Sequence, residues 1–267
     1  FDLGAFGQIV GTTGSSDILA LSDALGDSEP QLPEGIPIKS LPLLTEETGG
    51  IYGVWVIAGP PGVGKSALAE QIALDVGQRI PVVMYDFENG LPILLYRAYR
   101  VFGKKLKTLG ENIFIRESIK TLEADIACIK APALVIVDSI QKLPASMEYR
   151  RTGLDKWIHR LEALKKRGYH ILLVSEVGRA SYNAGPNVGS FKETGEIEYS
   201  ADLGIQLVDG QGGEMVEAHI VKNRHHPHRG FATGLFRVRD WGFRESGDTE
   251  SGDSGNSNDP VPGPEAA

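Results

Sequence analysis

A chain of 267 residues with 41% hydrophobic side chains is long enough to bury a sizeable core and fits one domain with extensions. Its single cysteine, Cys128, excludes an intramolecular disulfide framework and a cysteine-rich zinc site and points to a reducing, cytoplasmic compartment. The net charge of −8 argues against a surface coated in nucleic-acid-binding charge, yet six of the carboxylates behind it sit in residues 245–267, which leaves residues 1–244 near −2 and room for a local basic groove.

No apolar run approaches the ~20 residues that cross a membrane. The opening at Phe1 lacks the charged start and apolar centre of a signal peptide and reads as a processed boundary. Residues 1–50 alternate short apolar pieces with Gly, Pro and Ser and read as a lead-in or subunit-packing segment. Within it, "SSDILALSDALG" predicts a helix capped by Ser15 or Ser16. From Ile51 the texture changes. "IYGVWVIA", "IPVVMYD", "ALVIVDS" and "HILLVSE" are continuous apolar runs, separated by helically spaced segments such as "SALAEQIALDV" and "GLDKWIHRLEALKKRG". Unbroken apolar runs indicate strands buried on both faces, hence an α/β fold with a mainly parallel sheet flanked by helices.

Between the first strand and first helix stands "GPPGVGKS", Gly59 to Ser66, which matches G-x-x-x-x-G-K-[ST] in the context that motif requires. Its backbone N–H groups curl around phosphate oxygens, the helix adds its positive end, and Lys65 reaches the β and γ phosphates. The expected nucleotide contacts are Gly59, Pro60, Pro61, Gly62, Val63, Gly64, Lys65, Ser66 and Ala67. Mg²⁺ needs a hydroxyl and an acid at a neighbouring strand end, and Ser66 with Asp138 of "ALVIVDS" supply them. Hydrolysis of ATP also needs a group to orient or deprotonate water. Glu88 in "MYDFENG" is the candidate and Asp86 the competitor.

Past Val177 the loop 179–195 holds Gly, Asn, Ser and Pro around Arg179, Tyr182, Phe191 and Lys192, a composition that suits backbone charge and stacking contacts with single-stranded DNA. Beyond Ala201, "DLGIQLVD", "GEMVEAHIVK" and "ATGLFRVRDWGF" predict a C-terminal antiparallel β extension joined by the turns "GQGG" and "RHHPHRG". Four of six histidines lie in "HIVKNRHHPHRG". Zinc requires a compact ligand set, and Pro227 breaks this turn; His225, His226 and His228 either shape the turn or touch nucleic acid or a neighbouring subunit. The tail, 245–267, is read as an acidic, disordered end, with docking of a protein partner as its sharper alternative.

Taken in order, these pieces resemble the RecA-like P-loop ATPases, in particular the hexameric replicative helicases of the DnaB type and the RadA/Sms group. The quoted matches are "GPPGVGKS", "MYDFENG", "VIVDSIQ", "LLVSEVGR", "SFKETGEIEYSADLGIQL" and "IVKNRHHPHRG", across about residues 51–243. The resemblance implies that Glu88 is the catalytic glutamate and that Lys192, Glu193 and Gly195, with Arg179 nearby, contact single-stranded DNA. It also implies that Lys222 and Arg224 project into the nucleotide site of the next subunit. One position departs from the pattern: Glu176 stands where a glutamine senses the γ-phosphate. The expected domain is 51–244, and the expected activity is ATP hydrolysis coupled to DNA in a homo-oligomeric, hexameric ring. A RadA/Sms-like recombination ATPase and a KaiC-like regulatory ATPase that binds protein rather than DNA are the alternatives.

Overall fold

The computed structural model describes residues 34–178, 185–187, 189, 195–210, 213–225, 232–237 and 242–245; the helix expected at 15–26 and the tail beyond 245 lie outside them. Contacts divide the chain between Glu34 and Gly35, and the fold is that of the unit from Gly35 onward.

The order begins with α1 (Pro42–Thr48), β1 (Val54–Gly59), α2 (Lys65–Val76), β2 (Val82–Asp86) and α3 (Leu91–Phe102). It continues with α4 (Leu106–Leu109), β3 (Ile113–Arg116), α5 (Leu122–Cys128), β4 (Leu134–Asp138), α6 (Arg150–Lys165) and β5 (His170–Glu176). The last elements are α7 (Gly195–Ser200), β6 (Leu203–Asp209), β7 (Met215–Asn223), β8 (Ala232–Arg237) and β9 (Phe243–Glu245). The nine strands form one sheet in the order β3-β2-β4-β5-β1-β6-β7-β8-β9. Pairing is parallel from β3 through β6 and antiparallel from β6 through β9. This is the expected RecA-like architecture with its antiparallel extension.

Strand residues alternate between two cores, as a period of two requires. Trp55, Ile57, Met84, Ile136 and Leu172 face one layer with Leu68, Ile72 and Val76 of α2. Val54, Val56, Val83, Val135 and Leu173 face the other with Leu154, Ile158 and Leu161 of α6. In the extension only one face is apolar, so Val216, Ala218 and Ile220 point inward while Glu217 and His219 point away. No helix among the described residues is long and apolar enough to cross a membrane.

Two expected boundaries move. Ile38, Leu41 and Leu44 are fully buried in the α2 core, and Ile36 bridges Ile51, so the packed unit begins near Gly35 rather than at Ile51. Glu245, the first residue of the expected acidic tail, is 2% exposed; its carboxylate accepts from the backbone N–H groups of Leu43 (2.6 Å) and Leu44 (2.7 Å). These are donors of the first turn of α1, which lacks a side-chain cap at its N-cap residue and would otherwise leave them unsatisfied. The segment expected as one last strand also splits, since Leu235 pairs with Glu245 and Arg237 with Phe243, so the chain reverses between β8 and β9. Sequence reading missed β3, whose Ile113 and Ile115 pack on the core at the sheet edge.

Candidate functional site: a phosphate-loop pocket

Gly59, Asp86, Asp138 and Glu176 end β1, β2, β4 and β5, so the parallel strands deliver their C-terminal residues to one edge, where open α/β sheets bind ligands. There a cavity of about 510 Å³ is lined by Gly62, Lys65, Ser66, Glu88, Ser139 and Glu176 among others. The phosphate loop forms its floor. Gly64 has φ +104°, and a Cβ on it would lie 2.6 Å from Cζ of Phe243; only glycine permits both that backbone and that contact. Lys65 opens α2 and donates from Nζ to the carbonyl of Pro60 at 2.9 Å. Burial pulls its pKa below the ordinary value, opposed by the carboxylates of Glu176, Asp138 and Glu88.

Asp138 is completely buried, and neither carboxylate oxygen has a hydrogen bond of full geometry. Burial pushes its pKa up to about 6, the charges of Glu88 and Asp86 add to the rise, and the Ser66 hydroxyl and Lys65 oppose it. An unsatisfied buried carboxylate beside a hydroxyl at a helix start is the donor set that suits Mg²⁺, which takes one or two protein oxygens and keeps the rest for water and phosphate. The residues therefore fit the ion.

Glu88 and Asp86, alike in sequence, differ in place. Asp86 is 1% exposed and its Oδ1 accepts from the N–H groups of Glu88 and Asn89, both at 3.0 Å, so it shapes the turn. Glu88 is exposed, lines the cavity, and is steadied by a hydrogen bond from Ser139 Oγ to Oε1 at 2.8 Å. Glu176 also lines the cavity, and its backbone N–H donates to Gln141 Oε1 at 3.3 Å.

Two cations in this pocket escaped sequence reading. Arg237 donates from Nη2 to Asp209 Oδ1 at 2.8 Å, and another of its nitrogens, Nη1, stands 3.6 Å from where a Cβ on Gly64 would be. Arg97 pairs with Glu70 of α2 at 3.4 Å. Burial lifts Glu70 to a pKa of about 7, with Arg97 pulling the other way. Nothing local in the sequence ties positions 97 and 237 to 65; the sheet brings them together.

Lys222 and Arg224 stand elsewhere. Lys222 pairs with Gly204, which pairs with Val56 in the first half of β1, about 10 Å of strand before the phosphate loop begins at Gly59; Arg224, whose N–H donates to the Asp202 carbonyl, lies farther still toward the N-terminal edge of the parallel strands. Lys222 Nζ donates to the carbonyl of Glu198 and Arg224 Nη2 to that of Tyr199, which places both on the C-terminal turn of α7. Burial and the Arg224 charge lower the pKa of Lys222, with Asp202 and Glu198 opposing. Gly195 begins α7; Arg179, Lys192 and Glu193, with Tyr182 and Phe191, lie outside the described residues. So do His226 and His228. His219 bonds Glu217 at 2.8 Å, whereas His225 packs edge-on to Tyr52 with ring centroids 5.2 Å apart, so these two histidines face different partners.

A family model described as an AAA domain matches residues 50–181. The chain is 28% identical over 258 residues to the DNA repair protein RadA of Brucella abortus (strain 2308), covering 92% of this chain and 52% of that protein. It is 27% identical over 206 residues to the DNA repair protein RadA of Pseudomonas aeruginosa, covering 74% and 42%. It thus spans about half the length of the curated relatives it matches. Among solved structures it is similar to one described as an ATPase domain, with a TM-score of 0.67 and 18% identity over 79% of this chain and 90% of that one. It is also similar to a DnaB-like replicative helicase studied with primase, with a TM-score of 0.69 and 17% identity over 90% and 70%. At such identities the structural likeness speaks for the fold.

Proposed function

Taking the chain as a RecA-like P-loop ATPase that resembles DnaB-type helicases and RadA, we propose that it is the motor core of an oligomeric, hexameric DNA translocase whose nucleotide site is completed by a neighbouring subunit. The observation that carries this reading is the split of the cations. Lys65, Ser66, Glu88 and Asp138 gather at the C-terminal edge of the parallel strands, while Lys222 and Arg224 are docked toward the other edge on carbonyls of α7, a placement that suits service to the pocket of the next subunit.

In each pocket the backbone N–H groups of residues 62–66 and the Lys65 ammonium bind the β and γ phosphates of ATP. Ser66 and Asp138 would hold Mg²⁺, which when bound neutralises charge on the phosphate oxygens. Glu88, held by Ser139, orients the attacking water and receives its proton at a carboxylate oxygen. Phosphoryl transfer leaves a protein mostly with positioning and charge stabilisation, and a cation supplied in trans accelerates it by about 10³–10⁵. Lys222 and Arg224 are assigned that role. The segment holding Arg179, Lys192, Glu193 and Gly195 is assigned to single-stranded DNA. One copy binds weakly, and several copies around a pore act together through effective concentration, which reconciles an acidic chain with an anionic ligand.

The relatives named DNA repair protein RadA favour a second reading, a repair or recombination ATPase, and either reading places the motor on DNA. ATP hydrolysis measured with and without single-stranded DNA, beside native mass measurement, tests the proposal. We expect an oligomer whose rate rises several-fold with DNA, with a salt-sensitive dependence on DNA concentration. A monomer that hydrolyses ATP at an unchanged rate and binds no DNA at low salt would sink it.

A further inference from the structure

Asp202 begins the turn into β6 and is 1% exposed, yet its two oxygens do different work. Oδ2 accepts from the Val54 N–H at 2.8 Å and from Lys165 Nζ at 2.6 Å, which fixes the carboxylate to the start of β1 and the end of α6. Gly53, at φ +69°, clears its path: a Cβ there would lie 2.2 Å from Oδ2. Oδ1 looks the other way, toward Arg224 Nη1 at 3.6 Å and His225 Nε2 at 3.7 Å. The Asp202 carbonyl also accepts from the Arg224 backbone N–H at 2.9 Å. Half of this side chain belongs to the scaffold and half faces the guanidinium.

We infer that Asp202 is a positioning residue for hydrolysis in the neighbouring subunit, anchored to the sheet through Oδ2 and aiming Arg224 through Oδ1; this rests on the reading of Arg224 as a finger supplied in trans. A buried carboxylate near a guanidinium that is still 45% exposed orients the cation without enclosing it. The Tyr199 carbonyl gives Arg224 a second hold, so its head is held from two directions while solvent keeps access to the rest.

The discriminating variant is Asp202→Asn. Its amide oxygen can keep the bonds from Val54 and Lys165, which turns the NH₂ group toward Arg224 and replaces attraction by donor–donor repulsion. Lys165, with its side chain about a third exposed, can swing to water, so no buried charge is stranded. A misplacement of about 1 Å at a reacting group costs up to about 100-fold, so D202N should lower kcat by about 10- to 100-fold and leave KM for ATP unchanged.

Subunit mixing then separates a displaced finger from a damaged pocket. Lys65→Ala disables its own pocket but carries an intact Arg224, whereas D202N carries an intact pocket and a displaced finger. Mixed at equal amounts, the two should regain hydrolysis well above that of either alone, as should a parallel mixture of Lys65→Ala with Arg224→Ala. If the R224A mixture recovers and the D202N mixture does not, or D202N alone loses assembly or ATP binding, Asp202 serves the scaffold and the inference fails. Wild-type hydrolysis by D202N alone also overturns it. If even the R224A mixture stays inactive, the trans-finger reading falls, and the inference with it.

Discussion

At the scale of single residues, Asp138 links the proposed Mg²⁺ site to stability. A folded chain holds this carboxyl protonated up to about pH 6, whereas an unfolded chain releases the proton near its ordinary 3.8. The stabilisation is therefore complete below pH 4 and is lost as pH rises through 6, because the unfolded state then gives up a proton that the folded state still binds. The shift corresponds to about 2–3 kcal/mol. Asp138→Asn should therefore raise the melting temperature of the nucleotide-free protein at pH 7.5 by several degrees while abolishing the further stabilisation by ATP with Mg²⁺. Thermal unfolding with and without the nucleotide checks this, and a D138N protein less stable than wild type when empty would count against a charge buried for function. Glu88 and Asp86 mark the limit of sequence reading at this scale. Two acids at one strand end carry the same label in a sequence, and only the turn geometry, with Asp86 bonded to two backbone N–H groups, separates the one that faces the cavity.

At the scale of elements, strand runs and the phosphate loop were legible because their signals are local. Four buried strands announced themselves as unbroken apolar runs, and the loop as a motif between strand and helix. What stayed hidden depends on distant partners. The short edge strand β3 alternates, with Ile113 and Ile115 inward and Phe114 exposed, over too few residues to stand out. The α1 segment looks like a linker because the surface it covers is formed by α2 and β9. Gln71 of α2 exchanges hydrogen bonds with the backbone N–H and carbonyl of Phe243 and donates to Ser40 Oγ, and Glu245 supplies the first turn of α1 with acceptors. Composition placed Glu245 in an acidic tail; the fold uses it as a cap. A buried N–H left without an acceptor costs about 1–3 kcal/mol, so Glu245→Ala should destabilise the protein by about 2 kcal/mol or more. Urea unfolding measures this, and a change below about 0.5 kcal/mol, typical of exposed positions, would restore Glu245 to the tail.

At the scale of the whole molecule, the parallel sheet works as a divider. Its C-terminal edge gathers the phosphate loop, the buried acid and the cavity-facing glutamate, while the end of β7 carries Lys222 and the turn after it Arg224, both toward the other edge and docked on the last turn of α7. The sequence displayed both sets of residues, and the resemblance implied that they meet across a subunit boundary; what it could not display is that within one chain they point apart. Under the proposed role of Lys222 and Arg224, such a division makes catalysis depend on assembly. The most direct measurement is the ATP hydrolysis rate per chain as protein concentration is raised through the assembly transition, followed by native mass, for wild type and Arg224→Ala. We expect the wild-type rate per chain to climb by at least about 10³, in keeping with a cation supplied in trans, while R224A assembles but stays near the monomer rate. A rate per chain that is independent of concentration, and indifferent to R224A, would contradict a site completed by its neighbour.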